Sequence, residues 1–142
     1  MTKLKQNPNH IFIDTNILIG AHFGIDRDVR CMHYLNTLKG KKMYVSSLSV
    51  AQSVALFQNK KEDIAQIKSA VNDMIAKYNI ISFTEADIKE SLEIDNKDLE
   101  DNMQYVMCRK CNCLYFITNN IKDYRHFINI TALKSTQVRQ ID

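Results

Sequence analysis

Ile11-Phe12-Ile13-Asp14-Thr15-Asn16-Ile17-Leu18-Ile19 is the stretch that decides the fold. Three consecutive β-branched or aromatic residues read as a buried strand, and the apolar residues after Asn16 open a helical run. Asp14 therefore falls at the C-terminal end of a strand, with a helix to follow. In open α/β sheets that edge is where ligands bind. An Asp in this place is equally the ordinary N-cap of the next helix, because its carboxylate accepts free amides of the first turn.

Further strand-type runs lie at Met43–Val45, Ile80–Phe83, Leu114–Ile117 and Ile128–Ile130, separated by stretches with helical spacing. That alternation predicts an α/β fold, a largely parallel sheet of about five strands covered by helices. The clearest helix is expected from about Lys61 to Tyr78, where Ile64, Ile67, Val71, Met74, Ile75 and Tyr78 form an apolar stripe for packing. A second should start near Thr84, with Asp87 as capping partner and Ile88 and Leu92 on one face. A third should start at Asp98, carry Asp101 in its first turn and end at Asn112 in a left-handed conformation.

The chain has 142 residues and 45% hydrophobic content, with one proline, three glycines and no repeat or low-complexity linker. One domain over residues 1–142 is expected, large enough for a sizeable core. Nineteen basic against sixteen acidic side chains give a formal +3, compatible with a polyanionic partner but too small to identify one. No long apolar stretch follows the first nine residues, so neither a secretory leader nor a membrane span is expected, and a cytoplasmic location is. Cys31, Cys108, Cys111 and Cys113 are expected as reduced thiols, because a chain with this core has little need of disulfides.

Carboxylates recur where strands end. Asp14 follows one strand, Asp123 comes shortly after Leu114–Ile117, and Asp101 opens the helix before that strand. If the strands are parallel, the three can converge on one cleft. Like charges so close repel unless a cation neutralises them, and an all-oxygen set suits Mg²⁺ or Mn²⁺. Asp98 and Asp101 at a helix start also complement the helix dipole, a role that by itself requires no catalysis.

Ile11-Phe12-Ile13-Asp14-Thr15-Asn16 resembles the opening of PIN domains, a hydrophobic strand ending in an Asp-Thr-Asn-like motif. Asp98-Leu99-Glu100-Asp101-Asn102-Met103-Gln104-Tyr105, with Leu114-Tyr115-Phe116-Ile117-Thr118-Asn119-Asn120-Ile121-Lys122-Asp123-Tyr124, is similar to the family's C-terminal helix, strand and Thr-x-Asn-x-x-Asp segment. The resemblance implies a three-layer sandwich and a metal-dependent ribonuclease site. It implies Asp14, Asp101 and Asp123 as catalytic, metal-holding carboxylates, with Thr118 and Asn119 as polar support. Many small members are toxins of the VapC-like kind, so the partners it implies are RNA, an antitoxin protein and a second copy of the chain, with no membrane.

One position departs from the family. Similar segments usually carry Glu where Ser46–Ser53 has Gln52, a neutral amide that contributes no charge toward an ion. Glu62 lies too far along to substitute, and Glu100 is expected to point about 100° away from Asp101 around the helix. A catalytically weakened RNA-binding or regulatory module therefore stands beside the nuclease reading. A small-molecule phosphate-binding protein is the third reading, against which Gly20, Gly24 and Gly40 are not spaced as a phosphate loop.

Other constellations are weaker. Cys108-x2-Cys111-x-Cys113 lacks a fourth zinc ligand and fits packing against the sheet. His10, His22, His33 and His126 form no recognisable motif. Lys39, Lys41, Lys42 and Lys60-Lys61 suit either phosphate or solvent, and Tyr105 and Tyr124 suit either base stacking or packing.

Overall fold

The computed structural model describes residues 6–142. Residues 1–5, on which part of the expectation about a leader rests, lie outside the described residues. Five parallel strands, β1 (Asn7–Ile13), β2 (Lys42–Ser46), β3 (Asn79–Ile81), β4 (Cys113–Ile117) and β5 (Thr131–Leu133), form one sheet in the order β3-β2-β1-β4-β5. The chain winds outward from β1 through β2 to β3, then returns to the other side of β1 with β4 and β5. The direction of winding switches between β1 and β4, so the crevice at their carboxyl ends is the natural ligand site of such a sheet.

The helices are α1 (Thr15–His22), α2 (Asp26–Thr37), α3 (Ser47–Asn59), α4 (Ile64–Lys77), α5 (Glu85–Glu93) and α6 (Leu99–Lys110). Side chains of β1 alternate between the two faces of the sheet, as a period of two requires. Ile11 and Ile13 pack with Ile17, Leu35, Val138 and Ile141 on one face. Phe12 packs with Met107, Phe116 and Tyr124 on the other, its ring 5.2 Å from that of Phe116. With both faces of the sheet covered, the α/β sandwich expected from the sequence is the fold observed.

Caps are where the sequence expects them. Thr84 and Asp87 form a capping box at α5, Asp98 caps α6 by accepting from the Asp101 amide at 3.1 Å, and Asn112 ends that helix with φ 59°. Several boundaries and faces differ. The last strand is not Ile128–Ile130 but Thr131–Leu133; Ile128 sits in a turn, 85% exposed, and the ladder to β4 pairs Phe116 with Ala132. The pairing is set by backbone register against β4, and the short run Thr131-Ala132-Leu133, with only Leu133 buried, is a weaker apolar signal than Ile128 and Ile130.

On α4, Ile67 and Met74 are buried against Phe57 of α3, while Ile64 and Ile75 are exposed. The latter lie roughly 60–100° around the helix from the buried pair. Because α3 forms the apolar cluster with α4, that helix needs only a narrow apolar line, and the expected stripe packs only in part. On α5, Ile88 and Leu92 do share a face, but it is exposed; the inward side carries Asp87 and Ser91. Lys110 Nζ of α6 donates to Asp87 at 3.0 Å and Asn102 Nδ2 to the Ser91 carbonyl at 3.3 Å, so α5 docks through polar contacts.

Candidate active site

Asp14 stands at the junction of β1 and α1. Its amide continues the ladder by donating to the Ile117 carbonyl of β4 at 3.0 Å, which brings the end of β1 beside Thr118. Oδ1 caps α1 by accepting from the Thr15 amide at 2.7 Å. Oδ2 accepts from the Thr118 hydroxyl at 2.8 Å and from Asn16 Nδ2 at 2.9 Å. The residue is thus both the ordinary cap and a buried carboxylate, 6% exposed, beside a cleft. Burial pushes its pKa up to about 6, against the lowering effect of the Thr118 and Thr15 hydrogen bonds; negative charge on Asp101 and Glu100 raises it further.

The cleft has a volume of about 370 Å³ and is lined by Asp14, Gln52, Glu100, Asp101, Gln104 and Tyr124 among others. Asp101, in the first turn of α6, accepts from the Tyr124 hydroxyl at 3.1 Å. Its carboxyl is also pushed up to about 6, first by desolvation and then by the negative charge of Asp98, with Asp123 and Glu100 adding to it. Two carboxyls far apart in sequence therefore meet at the switch point between β1 and β4.

Asp123 is placed differently. It is exposed on a 3₁₀ turn, Ile121–Asp123, near enough for its charge to act on Asp101 but outside the cleft wall, where Asn120 stands instead. Thr118 is fully buried on Asp14, whereas the Asn119 side chain turns away from the cleft. Its Nδ2 donates to buried Asp28 at 2.9 Å, and its Oδ1 accepts from the Ser135 amide and hydroxyl. Only the Asn119 backbone reaches toward the site, donating to Asn16 Oδ1 at 3.2 Å. Tyr105 is buried against the Phe127 ring at 3.8 Å, a packing role, while Tyr124 both packs on Phe116 and holds Asp101. Glu62 pairs with His22 at 2.7 Å and does not line the cleft.

Glu100 corrects an expectation. Although one helical position separates it from Asp101, both line the cleft, and Glu100 Oε1 accepts from Gln52 Nε2 at 3.0 Å. The cleft lies against the first turn of α6, where a long side chain reaches it from a position adjacent to Asp101; the 100° rule separates Cα directions, not the reach of a flexible side chain. Gln104 was also missed by sequence reading. It sits three residues after Asp101, one turn along the same helix face, and that spacing was the available signal.

The donors fit a hard divalent cation in chemistry, being carboxylate oxygens with no cationic side chain among the cleft residues described. They do not close around a point: among the described residues no three His, Cys, Asp or Glu side chains are clustered tightly enough to hold one ion. Mg²⁺ commonly needs only one or two carboxylates and completes its shell with water and substrate phosphate, so a cleft that offers the two carboxyls of Asp14 and Asp101 is within what such an ion accepts.

A family model for the PIN domain matches residues 11–127. Ribonuclease VapC1 of Aquifex aeolicus (strain VF5) is 25% identical over 134 residues, covering 87% of this chain and 90% of that protein. Among solved structures, VapBC2 from Rickettsia felis bound to a DNA fragment from its promoter superposes with a TM-score of 0.66 at 19% identity, over 88% of this chain and 98% of that one. A toxin–antitoxin complex from Klebsiella pneumoniae gives 0.66 at 17% identity, over 85% and 95%. These structures share the fold described above.

Proposed function

Because the chain belongs to the PIN domain family, we propose that it is a metal-dependent endoribonuclease, hydrolysing RNA phosphodiester bonds in the cleft between Asp14 and Asp101. The observation that carries this reading is the meeting of those two carboxylates, with Glu100, at the carboxyl ends of β1 and β4. A bound Mg²⁺ or Mn²⁺ would neutralise phosphate charge and ease deprotonation of the attacking water. Thr118, Asn16 and the Thr15 amide hold Asp14 in one orientation, and Tyr124 does the same for Asp101. In hydrolysis the water oxygen bonds to phosphorus, the phosphorus–oxygen bond of the strand breaks, and the leaving oxygen takes a proton.

Likeness to a named ribonuclease and to a toxin–antitoxin complex supports the further reading of a toxin restrained by an antitoxin. RNA cleavage in the presence of Mn²⁺, stopped by EDTA and by Asp14→Asn, is the expected result. RNA binding without cleavage in the unaltered chain, retained in Asp14→Asn, would instead establish the weakened binding module suggested by Gln52.

A further inference from the structure

Glu100 is a carboxylate without a counterion among the described residues. Among the described residues it forms no ion pair, although surface carboxylates elsewhere in this chain do, as Glu85 with Lys89 and Glu90 with Arg109. Instead it turns into a cleft already holding Asp14 and Asp101, and the one side-chain donor it meets there is the neutral amide of Gln52, at 3.0 Å.

That amide is itself oriented. Gln52 Oε1 lies 2.9 Å from the Thr15 hydroxyl, which also lies 2.7 Å from Ser49 Oγ, and Gln104 Nε2 donates to both hydroxyls at 3.1 and 3.0 Å. With its oxygen engaged by Thr15, Gln52 can present only N–H to Glu100. A Glu at position 52 would set two carboxylates against one another in the same space. On the same wall Gln104, 2% exposed, keeps Oε1 buried without any donor among the described residues. Such an acceptor is costly unless a water, an ion's hydration shell or a cation meets it.

We propose that Glu100 is a third carboxylate acting on a cation in this cleft, through that ion's water shell rather than as one of three ligands closed around it, and that Gln52 is the residue that positions it. The inference rests on the cation-binding reading of the cleft and deepens it. Acidic groups facing the cation then come from β1's end and twice from the first turn of α6, and α3 contributes an orienting amide in place of a charge.

Mn²⁺ titration calorimetry on the metal-free protein tests this, with unfolding temperature in EDTA recorded for every variant. Glu100→Gln keeps the shape and removes the charge; it should weaken Mn²⁺ binding about tenfold or more at unchanged metal-free unfolding temperature. The exchange variant Gln52→Glu with Glu100→Gln returns one carboxylate to the pair and should recover most of the loss. Gln52→Leu, which keeps Glu100 but frees it, should weaken Mn²⁺ binding several-fold. If Asp14→Asn abolishes binding while Glu100→Gln binds as the unaltered chain does, the cleft is a cation site and Glu100 is no part of it. If the unaltered chain binds no Mn²⁺, the proposed function and this inference fall together.

Discussion

The Thr118 hydroxyl donates to Asp14 Oδ2 at 2.8 Å, joining the residues that follow β4 and β1 across 104 positions of sequence. Both are buried, so the bond is charge-assisted whenever Asp14 is ionised. It is one of the few forces in the site that favour the ionised carboxylate against desolvation.

Thr118→Val keeps the shape and deletes that donor. The Asp14 pKa should rise further above about 6, and the pH midpoint for Mn²⁺ binding should move up by about one to two units, since a hydrogen bond to a charged group contributes about 1.5–3 kcal/mol. Calorimetric titrations between pH 5.5 and 8.5 read the shift; an unmoved midpoint would show that Thr118 does not govern the charge on Asp14.

The same raised value makes stability depend on pH. An unfolded Asp titrates near 3.8 and the folded Asp14 at about 6, so between those values the folded state holds the extra proton. Its contribution to stability is present below about pH 4 and is lost as pH rises through about 6, by roughly 3 kcal/mol. Asp14→Asn carries no such titration. Relative to that variant, the unaltered metal-free chain should lose denaturant resistance from pH 4 to pH 7, and Mn²⁺ should restore more of it at pH 7 than at pH 5.

Asn119→Ala separates support of the fold from support of the site. It leaves buried Asp28 and Ser135 without their side-chain partner, at a cost of about 1–3 kcal/mol in urea unfolding. The backbone bond to Asn16 survives, so Mn²⁺ affinity of the folded protein should be unchanged. A large loss of affinity at unchanged stability would give Asn119 a direct role in the cleft.

Gly20 lies so close to Asp28 that an added Cβ would meet its carboxylate. Asp28 is buried and held by Asn119, so it has little room to move aside. Gly20→Ala should therefore cost about 1–3 kcal/mol by overpacking, a loss that thermal or urea unfolding would register.

Local chemistry made part of this protein readable in one dimension. An apolar triplet before Asp14, the Thr84–Asp87 box, the Asp98 cap and the left-handed Asn112 all follow from forces acting within a few residues, and each stands where the sequence puts it. The α/β class follows from the alternation of such segments. Less readable were elements whose place depends on distant partners. β5 has a single buried side chain, Leu133, and is defined by register against β4, while α5 turns its Ile and Leu outward because polar bonds to α6 hold its other face.

At the site, the sequence by itself determined that carboxylates stand at the end of β1 and in the first turn of α6, since chain connectivity puts them there. Which of them share a cleft was decided by the tertiary structure. Asp123, three residues past Asn120, follows a tight turn out of the cleft wall; Glu100, expected to diverge from Asp101, turns in to meet Gln52; and Asn119 faces Asp28 rather than Asp14. Side-chain direction at a loop or a helix end depends on what packs against it from far along the chain, and spacing in sequence carries no record of that partner.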